Sequence, residues 1–284
     1  MIGVFDSGLG GLTVLKEIKK VLPEYDYMYY GDTLHVPYGN RSDEAIFELT
    51  RNACEYLFAH GCKLIILACN TASAKALRRL QSTYLSTLRP FNFVQGGQAQ
   101  GDKYNILGVI KPVAEEVAKI SKGNVGVIGT RGTIESNAYK KELETQNIAS
   151  VHRPALKVVS VATPLLVPLI EEGWIGRKET KSILRNYLRK LKNENVDTLI
   201  LGCTHYPLLI RQIQGIMGRK CKVPNPAVIV ANSLVDYLSR HPEIEKNLGK
   251  NGLRKYLVTD LNENFLQQAK RFLQEDIQIE SIKS

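Results

Sequence analysis

The sequence predicts an α/β fold: two similar α/β domains with mostly parallel sheets, their strand ends meeting across a crevice. Three observations carry this. Short apolar runs alternate with helix-spaced stretches along the chain, the rhythm of parallel strands covered by helices. Residues 86–104, rich in Gly and Gln, interrupt that rhythm, and it restarts afterwards. Segments on either side also look like imperfect copies: IGVFDSGLGGLT (2–13) resembles VGVIGTRGTIES (125–136), and LIILACNTAS (64–73) resembles LILGCTHYPL (199–208).

The elements follow in order. MIGVFDSG opens as an apolar strand, and Leu12, Leu15, Ile18 and Leu22 then recur at helical spacing. YDYMYYGD is a second strand, ending in the loop TLHVPYGNRS. A helix over 43–61 follows, with Ser42 as N-cap and Gly61 as stop. CKLIILACN is a buried strand and TASAKALRRLQSTYL the next helix. Residues 86–104 read as a long surface loop or domain crossing. The second half offers strand NILGVIKP, helix VAEEVAKISKG, strand NVGVIGT and helix GTIESNAYKKELE. LKVVSVATPLLVPLIEEG, a helix to about 192 and strand VDTLILGCTHYP come next. The tail repeats the theme with CKVPNPAVIVANSLVDYLS and KYLVTDLNENFLQQAKRFLQ.

Composition narrows the function classes. A chain of 284 residues suits about two domains. With 44% hydrophobic and 23% charged residues it reads as an ordinary globular protein. No apolar run approaches the roughly 20 residues needed to cross a bilayer. MIGVFDSG lacks the basic region and long apolar stretch of a signal peptide, so a cytoplasmic location is expected, without membrane association. The formal charge of +10 admits nucleic acid, an acidic surface or an anionic small substrate as partner. Lys and Arg are scattered through stretches such as LKEIKK and KSILRNYLRKLK, with no aromatic platform between them. A solvated charged face is the simplest reading, and nucleic acid is disfavoured.

The five cysteines, Cys54, Cys62, Cys69, Cys203 and Cys221, show no CxxC and no zinc spacing, so no metal site is expected. Cys54 and Cys62 sit among apolar residues as small hydrophobes, and Cys221 has no polar company. Cys69 and Cys203 differ. Each closes an apolar strand and is followed by small polar residues, Asn70-Thr71 or Thr204-His205. A cysteine at a strand end before a helix lies where free N–H groups stabilise a thiolate. One such group could be nucleophile, redox thiol or base. Two, offered from opposite walls, suit moving a proton from one face of a carbon to the other. A thiol ordinarily titrates near ~8.5, so modest tuning suffices at neutral pH, and the pair would titrate as a coupled system.

Asp6 and Ser7 end the first strand just before GLGG. The third glycine of a dinucleotide-binding pattern would fall at Thr13, which argues against a nucleotide. Asp6 reads either as a helix N-cap or as a group that holds an ammonium or adjusts Cys69. His205 could adjust Cys203 in the same way. His35, His60, His152 and His241 have no such company and read as surface or packing residues.

FDSGLGGLTVL, GDTLHVPYGNRS, ACNTAS, PLLVPLIEEG and LGCTHYPLL, in that order and at these intervals, closely resemble glutamate racemase, over residues 2 to about 211. The paired ACNT and GCTH motifs are shared with the wider aspartate/glutamate racemase superfamily, and VPYG with VPLIEEG points to the glutamate branch. The resemblance implies cofactor-independent racemisation with two opposed cysteines. Cys69 would take the α-proton of D-glutamate and Cys203 that of L-glutamate. Ser7, Pro37, Tyr38, Gly39, Asn70, Thr71 and Thr204 match substrate-pocket positions. Asp6 and His205 match groups that support the thiols, as does Glu171, with the adjacent Glu172 the alternative. It further implies D-glutamate supply for peptidoglycan, a bacterial cytoplasm and commonly a homodimer. The domains would be 1–104 plus 208–284, and 105–207.

Three departures stand out: the long 86–104 connection, Thr163 where many members carry a third cysteine, and VPNPAVIVANS without its usual acidic residue. Competing readings are an aspartate racemase, since one methylene is worth only about 1–3 kcal/mol of discrimination, and a catalytically silent basic binding protein. A one-cysteine hydrolase would leave the second cysteine unexplained.

Overall fold

The computed structural model describes residues 1–86, 105–148 and 155–282. Its elements run β1 (Ile2–Asp6), α1 (Gly11–Val21), β2 (Tyr27–Gly31), α2 (Asp43–Ala59), β3 (Leu64–Leu67), α3 (Asn70–Lys75), α4 (Leu77–Ser86) and β4 (Asn105–Gly108). They continue with α5 (Ile110–Ile120), β5 (Asn124–Gly129), α6 (Arg131–Glu135), α7 (Ala138–Ile148), β6 (Lys157–Ala162), α8 (Leu166–Glu171), α9 (Lys178–Asn193) and β7 (Thr198–Gly202). The tail adds α10 (Ile210–Met217), α11 (Pro226–Arg240), α12 (Pro242–Glu245), β8 (Arg254–Val258), α13 (Glu263–Leu273) and β9 (Glu280–Ser281).

The strands form two sheets, β4-β3-β1-β2-β8-β9 and β6-β5-β7, and every pairing between them is parallel. β1, β2, β3 and β7 are buried at every position, as strands covered on both faces must be. The copied segments occupy equivalent places. β1 pairs with β3 as β5 pairs with β7, and Cys69 and Cys203 lie just past the ends of β3 and β7. β4, at 105–108, pairs with β3, so the first sheet takes in a strand that a division at residue 104 would leave to the other unit.

Local signals act as the sequence leads one to expect at several points. Ser42 Oγ accepts from Ala45 N at 3.3 Å at the start of α2, and Gly61, at φ +88°, follows its end, a conformation costly for other residues. Two expected helices are broken instead. The one over 71–85 divides at Ala76, a fully buried residue whose φ of −110° departs from helical geometry. The one over 132–144 divides at Asn137, whose φ of +55° is left-handed, a state asparagine tolerates. The expected crossing, residues 86–104, lies outside the described residues after Ser86.

The two sheets share one apolar core, which runs from Val4 and Ile66 of the first through Val113 and Leu234 to Val127 and Leu199 of the second. α11 packs on both α1 and α5 within it. A second cluster on the other face of the first sheet joins Phe5, Ile65 and Leu67 to Phe47 and Leu57 of α2. Cys54 and Cys62 are buried there.

Candidate active site

The first wall is built where β1 and β3 end. Asp6 is fully buried, and its carboxylate accepts from Gly8 N at 2.9 Å and from Thr204 Oγ1 at 3.3 Å. Burial raises its pKa, against the positive charge of His205 and the N–H groups of Gly8 and Gly11. Cys69 precedes the first residue of α3 and is 6% exposed. Its thiol donates to Ser7 Oγ at 3.4 Å. Burial pushes the thiol up to about 12, the Asp6 charge adds to this, and Ser7 and the Ala72 N–H pull the other way. The helix-start N–H group acts in the expected direction, but desolvation and a neighbouring carboxylate outweigh it. Cys69 therefore keeps its proton at neutral pH.

The second wall has the opposite character. Cys203, also 6% exposed, lies 3.8 Å from His205 Nδ1, and His205 Nε2 lies 3.1 Å from Glu171 Oε1. Burial disfavours the imidazolium, but hydrogen bonds to Cys203 and Glu171 and their charges prevail, lifting His205 to about 10. Glu171, the last residue of α8, is therefore the carboxylate facing this site, while Glu172 at the helix cap is exposed. One sulfur thus has an anionic neighbour and the other a cationic partner.

The walls are locked together. A Cβ on Gly10 would sit 2.1 Å from Thr204 Oγ1 and 2.5 Å from His205 Nδ1, so only glycine allows α1 to start this close. Thr13 Oγ1 donates to Thr204 O at 2.8 Å. Across the crevice Thr71 Oγ1 lies 2.9 Å from Thr130 Oγ1 and 3.2 Å from Thr133 Oγ1. Tyr139 OH donates to Asn70 Oδ1 at 2.6 Å. The Cys203 charge is felt at Cys69.

The loop before α2 supplies the remaining candidates. Tyr38 is buried, and its hydroxyl donates to Asp32 Oδ2 at 2.6 Å. Gly39 approaches Thr130 so closely that a Cβ would lie 2.8 Å from the threonine Cβ. Pro37 remains exposed. Asp32 holds this loop in place: Thr259 Oγ1 donates to its Oδ1 at 2.9 Å, and His35 Nδ1 lies 2.8 Å from the same oxygen. The structure thus brings Asp6, Ser7, Asn70, Thr71, Thr204, His205 and Glu171 around the two cysteines, with Tyr38 and Gly39 on an adjoining loop.

Sequence reading missed Asp32, Tyr139, Thr130, Thr133 and Phe272. Phe272 of α13 stands edge-on to the His205 ring at 5.8 Å. Asp32 had a signal in its place in GDTLHVPYG, and Thr130 and Thr133 in VGVIGTRGTIES, the counterpart of IGVFDSGLGGLT. Thr163 is buried, with Oγ1 2.6 Å from Tyr206 OH. His60 and His241 stack on Tyr56 and Tyr237, Cys221 is buried, and His152 lies outside the described residues. Among the described residues no group of His, Cys, Asp and Glu is placed to hold a metal ion.

Comparison with known proteins bears on the same features. The family model for Asp/Glu/Hydantoin racemases matches residues 103–233. Glutamate racemase from Geobacter metallireducens is 41% identical over 273 residues, 96% of this chain and 92% of that protein. The crystal structure of glutamate racemase from Francisella tularensis in complex with D-glutamate superposes with a TM-score of 0.83 at 32% identity, covering 99% of this chain and 97% of that one. A glutamate racemase isoform from Bacillus anthracis gives 0.84 at 34%, covering 100% and 97%. Likeness at this identity spans both sheets and both cysteine-bearing walls, and the chain belongs to the glutamate racemase family of amino-acid isomerases.

Proposed function

We propose that this protein interconverts L-glutamate and D-glutamate by a two-base proton transfer between Cys203 and Cys69. The observation that carries this reading is a pair of buried thiols, one past the end of a strand in each sheet, with unlike electrostatic partners. In the L-to-D direction the Cys203 thiolate removes the α-proton, breaking C–H and forming S–H. The Cys69 thiol then delivers its own proton to the opposite face of the carbanion, leaving Cys69 as thiolate. The reverse direction starts from that state. Burial and the Asp6 charge favour the protonated Cys69 thiol, the form that delivers a proton in the L-to-D direction.

Ser7, Asn70, Thr71 and Thr204 offer hydroxyl, amide and backbone groups for the substrate carboxylates, and Asp6 for its ammonium, with Tyr38 and Gly39 closing one side and Pro37 at their rim. His205, held by Glu171, keeps a positive charge beside the Cys203 sulfur. Donor and acceptor are both side chains, so the scheme uses no cofactor. Family likeness supports a homodimer supplying D-glutamate for peptidoglycan in a bacterial cytoplasm. No helix among the described residues is long and apolar enough to cross a membrane.

The test is incubation of the purified protein with D-glutamate in heavy water, without added cofactor, following optical rotation and deuterium at the α-carbon. Loss of rotation with deuterium incorporation is expected, and a parallel aspartate run should be far slower. Folded protein with reduced thiols that exchanges neither amino acid would sink the proposal.

A further inference from the structure

α9 and α10 pack against each other and leave a surface groove of about 820 Å³ between them. Six cations line it: Arg177, Lys181, Arg185, Arg189 and Lys192 on or just before α9, and Arg211 on α10. No carboxylate lines it. A Cβ on Gly176 or Gly215, two other lining residues, would meet nothing within 4 Å, so the groove is open.

The pairing of these cations sets them apart. Elsewhere Lys75 meets Asp43, Arg79 meets Glu44, Lys157 meets Glu194 and Arg240 meets Asp236. None of the six groove cations forms an ion pair with a carboxylate among the described residues; Arg177 instead lies over the Trp174 ring at 4.4 Å. Lys181, Arg185, Arg189 and Lys192 recur at intervals of four, four and three residues, which puts them on one helix face. At about 1.5 Å rise per residue they form a row about 17 Å long, with a charge every ~5–6 Å. Six uncompensated cations destabilise a small protein by self-repulsion, so a regular row of them is a feature that a repeating anion would relieve.

The surroundings narrow the partner. The exposed large hydrophobics among the described residues, such as Val21, Leu34 and Leu165, are on neither α9 nor α10, so nothing beside the row would enter a bilayer. A second copy apposed through the same face would set cations against cations. A linear polyanion with evenly repeated charges fits a groove of this shape, and no aromatic lines it to stack on bases. We propose that this groove binds the phosphodiester backbone of nucleic acid, through charge and without base readout. The helix period gathers cations that the linear sequence scatters, which is why composition alone argued the other way.

Binding is read directly, without turnover, so it stands or falls separately from the racemase reading. Fluorescence anisotropy of a labelled oligonucleotide, presented as single-stranded DNA, duplex DNA and RNA, is measured from about 50 to 200 mM salt. With up to six phosphates neutralised, log K should fall against log salt with a slope of about −4 to −5, a loss of several hundred-fold or more across that range. The exposed double variant Arg185→Ala/Arg189→Ala should lower the slope magnitude by about 1.5–2 while melting temperature does not fall and glutamate turnover stays unchanged. The tightest of the three ligands identifies the backbone form. Absence of binding at low salt, or a variant whose affinity and slope match the parent, overturns the proposal. So does displacement of the oligonucleotide by poly-glutamate or anionic vesicles at comparable charge concentration, which would make the face an acidic-protein or membrane surface.

Discussion

Glu171→Gln tests the arrangement around Cys203 most sharply, because it removes a charge while keeping the shape. His205 is raised from an ordinary 6.5 to about 10 by Cys203 and Glu171, against burial. Its imidazolium therefore persists until the pH passes about 10. A hydrogen bond to a charged group contributes about 1.5–3 kcal/mol, or about 1–2 pKa units at 1.36 kcal/mol each. The Glu171 side chain is 36% exposed, so water screens the pair and the lower end applies. His205 in the variant should lose its proton near pH 9. The assay is kcat/KM for L-glutamate across pH 6–11. At about pH 7.5 both proteins keep an imidazolium, and their rates should agree within about threefold. The basic limb of the variant should fall about 1 unit earlier. Stability carries the same sign. A raised histidine stabilises fully below its unfolded pKa of about 6.5, and that contribution fades as pH rises through the folded value. The loss of melting temperature between pH 6.5 and 10 should thus be smaller in Glu171→Gln. A basic limb that does not move, or a rate lowered equally at every pH, would refute this role for Glu171.

Other expectations follow from the same geometry. Cys69→Ser and Cys203→Ser should each cut racemisation by about 10³-fold or more, since a serine hydroxyl is a far weaker acid and base at these pH values; near-normal turnover in either would remove the two-base scheme, and circular dichroism should show the fold retained. Gly10→Ala places a methyl 2.1 Å from Thr204 Oγ1, and overpacking of this kind costs about 1–3 kcal/mol, so both melting temperature and activity should drop; unchanged calorimetry would show that α1 can shift away. Asp32→Ala strips the acceptor from Tyr38, Thr259 and His35, and stranding buried donors costs about 1–3 kcal/mol. Its KM for glutamate should rise more than its kcat falls, through loosening of the Tyr38–Gly39 loop, and an unaltered KM would separate that loop from substrate binding.

Much of the fold was legible because parallel strands buried on both faces leave continuous apolar runs, as in LIIL before Cys69 and TLILG before Cys203. The two cysteines were legible for the same reason, being the first reactive groups past those runs. What the sequence hid depends on contacts between distant segments. Ala76 breaks its helix although alanine is the strongest helix former, and Asn137 breaks another by entering the left-handed region. Asp32 matters through partners at 35, 38 and 259, and Phe272 reaches His205 from the far end of the chain. Periodicity reports the faces of one helix, so it could not reveal a groove that needs both α9 and α10.

The unlike partners of the two sulfurs have a kinetic consequence. Enantiomers have identical free energies in water, so the equilibrium constant of racemisation is one by symmetry, whatever the catalyst. The ratio of kcat/KM for the two directions must equal that constant. A site that sets a carboxylate near one thiol and an imidazolium near the other cannot favour either enantiomer in net flux. Its asymmetry can surface only as a faster turnover in one direction matched by a proportionally weaker KM. Progress curves begun from pure L- and pure D-glutamate should therefore converge on the same racemic mixture, with mirror-image slopes at low substrate and unequal ones at saturation.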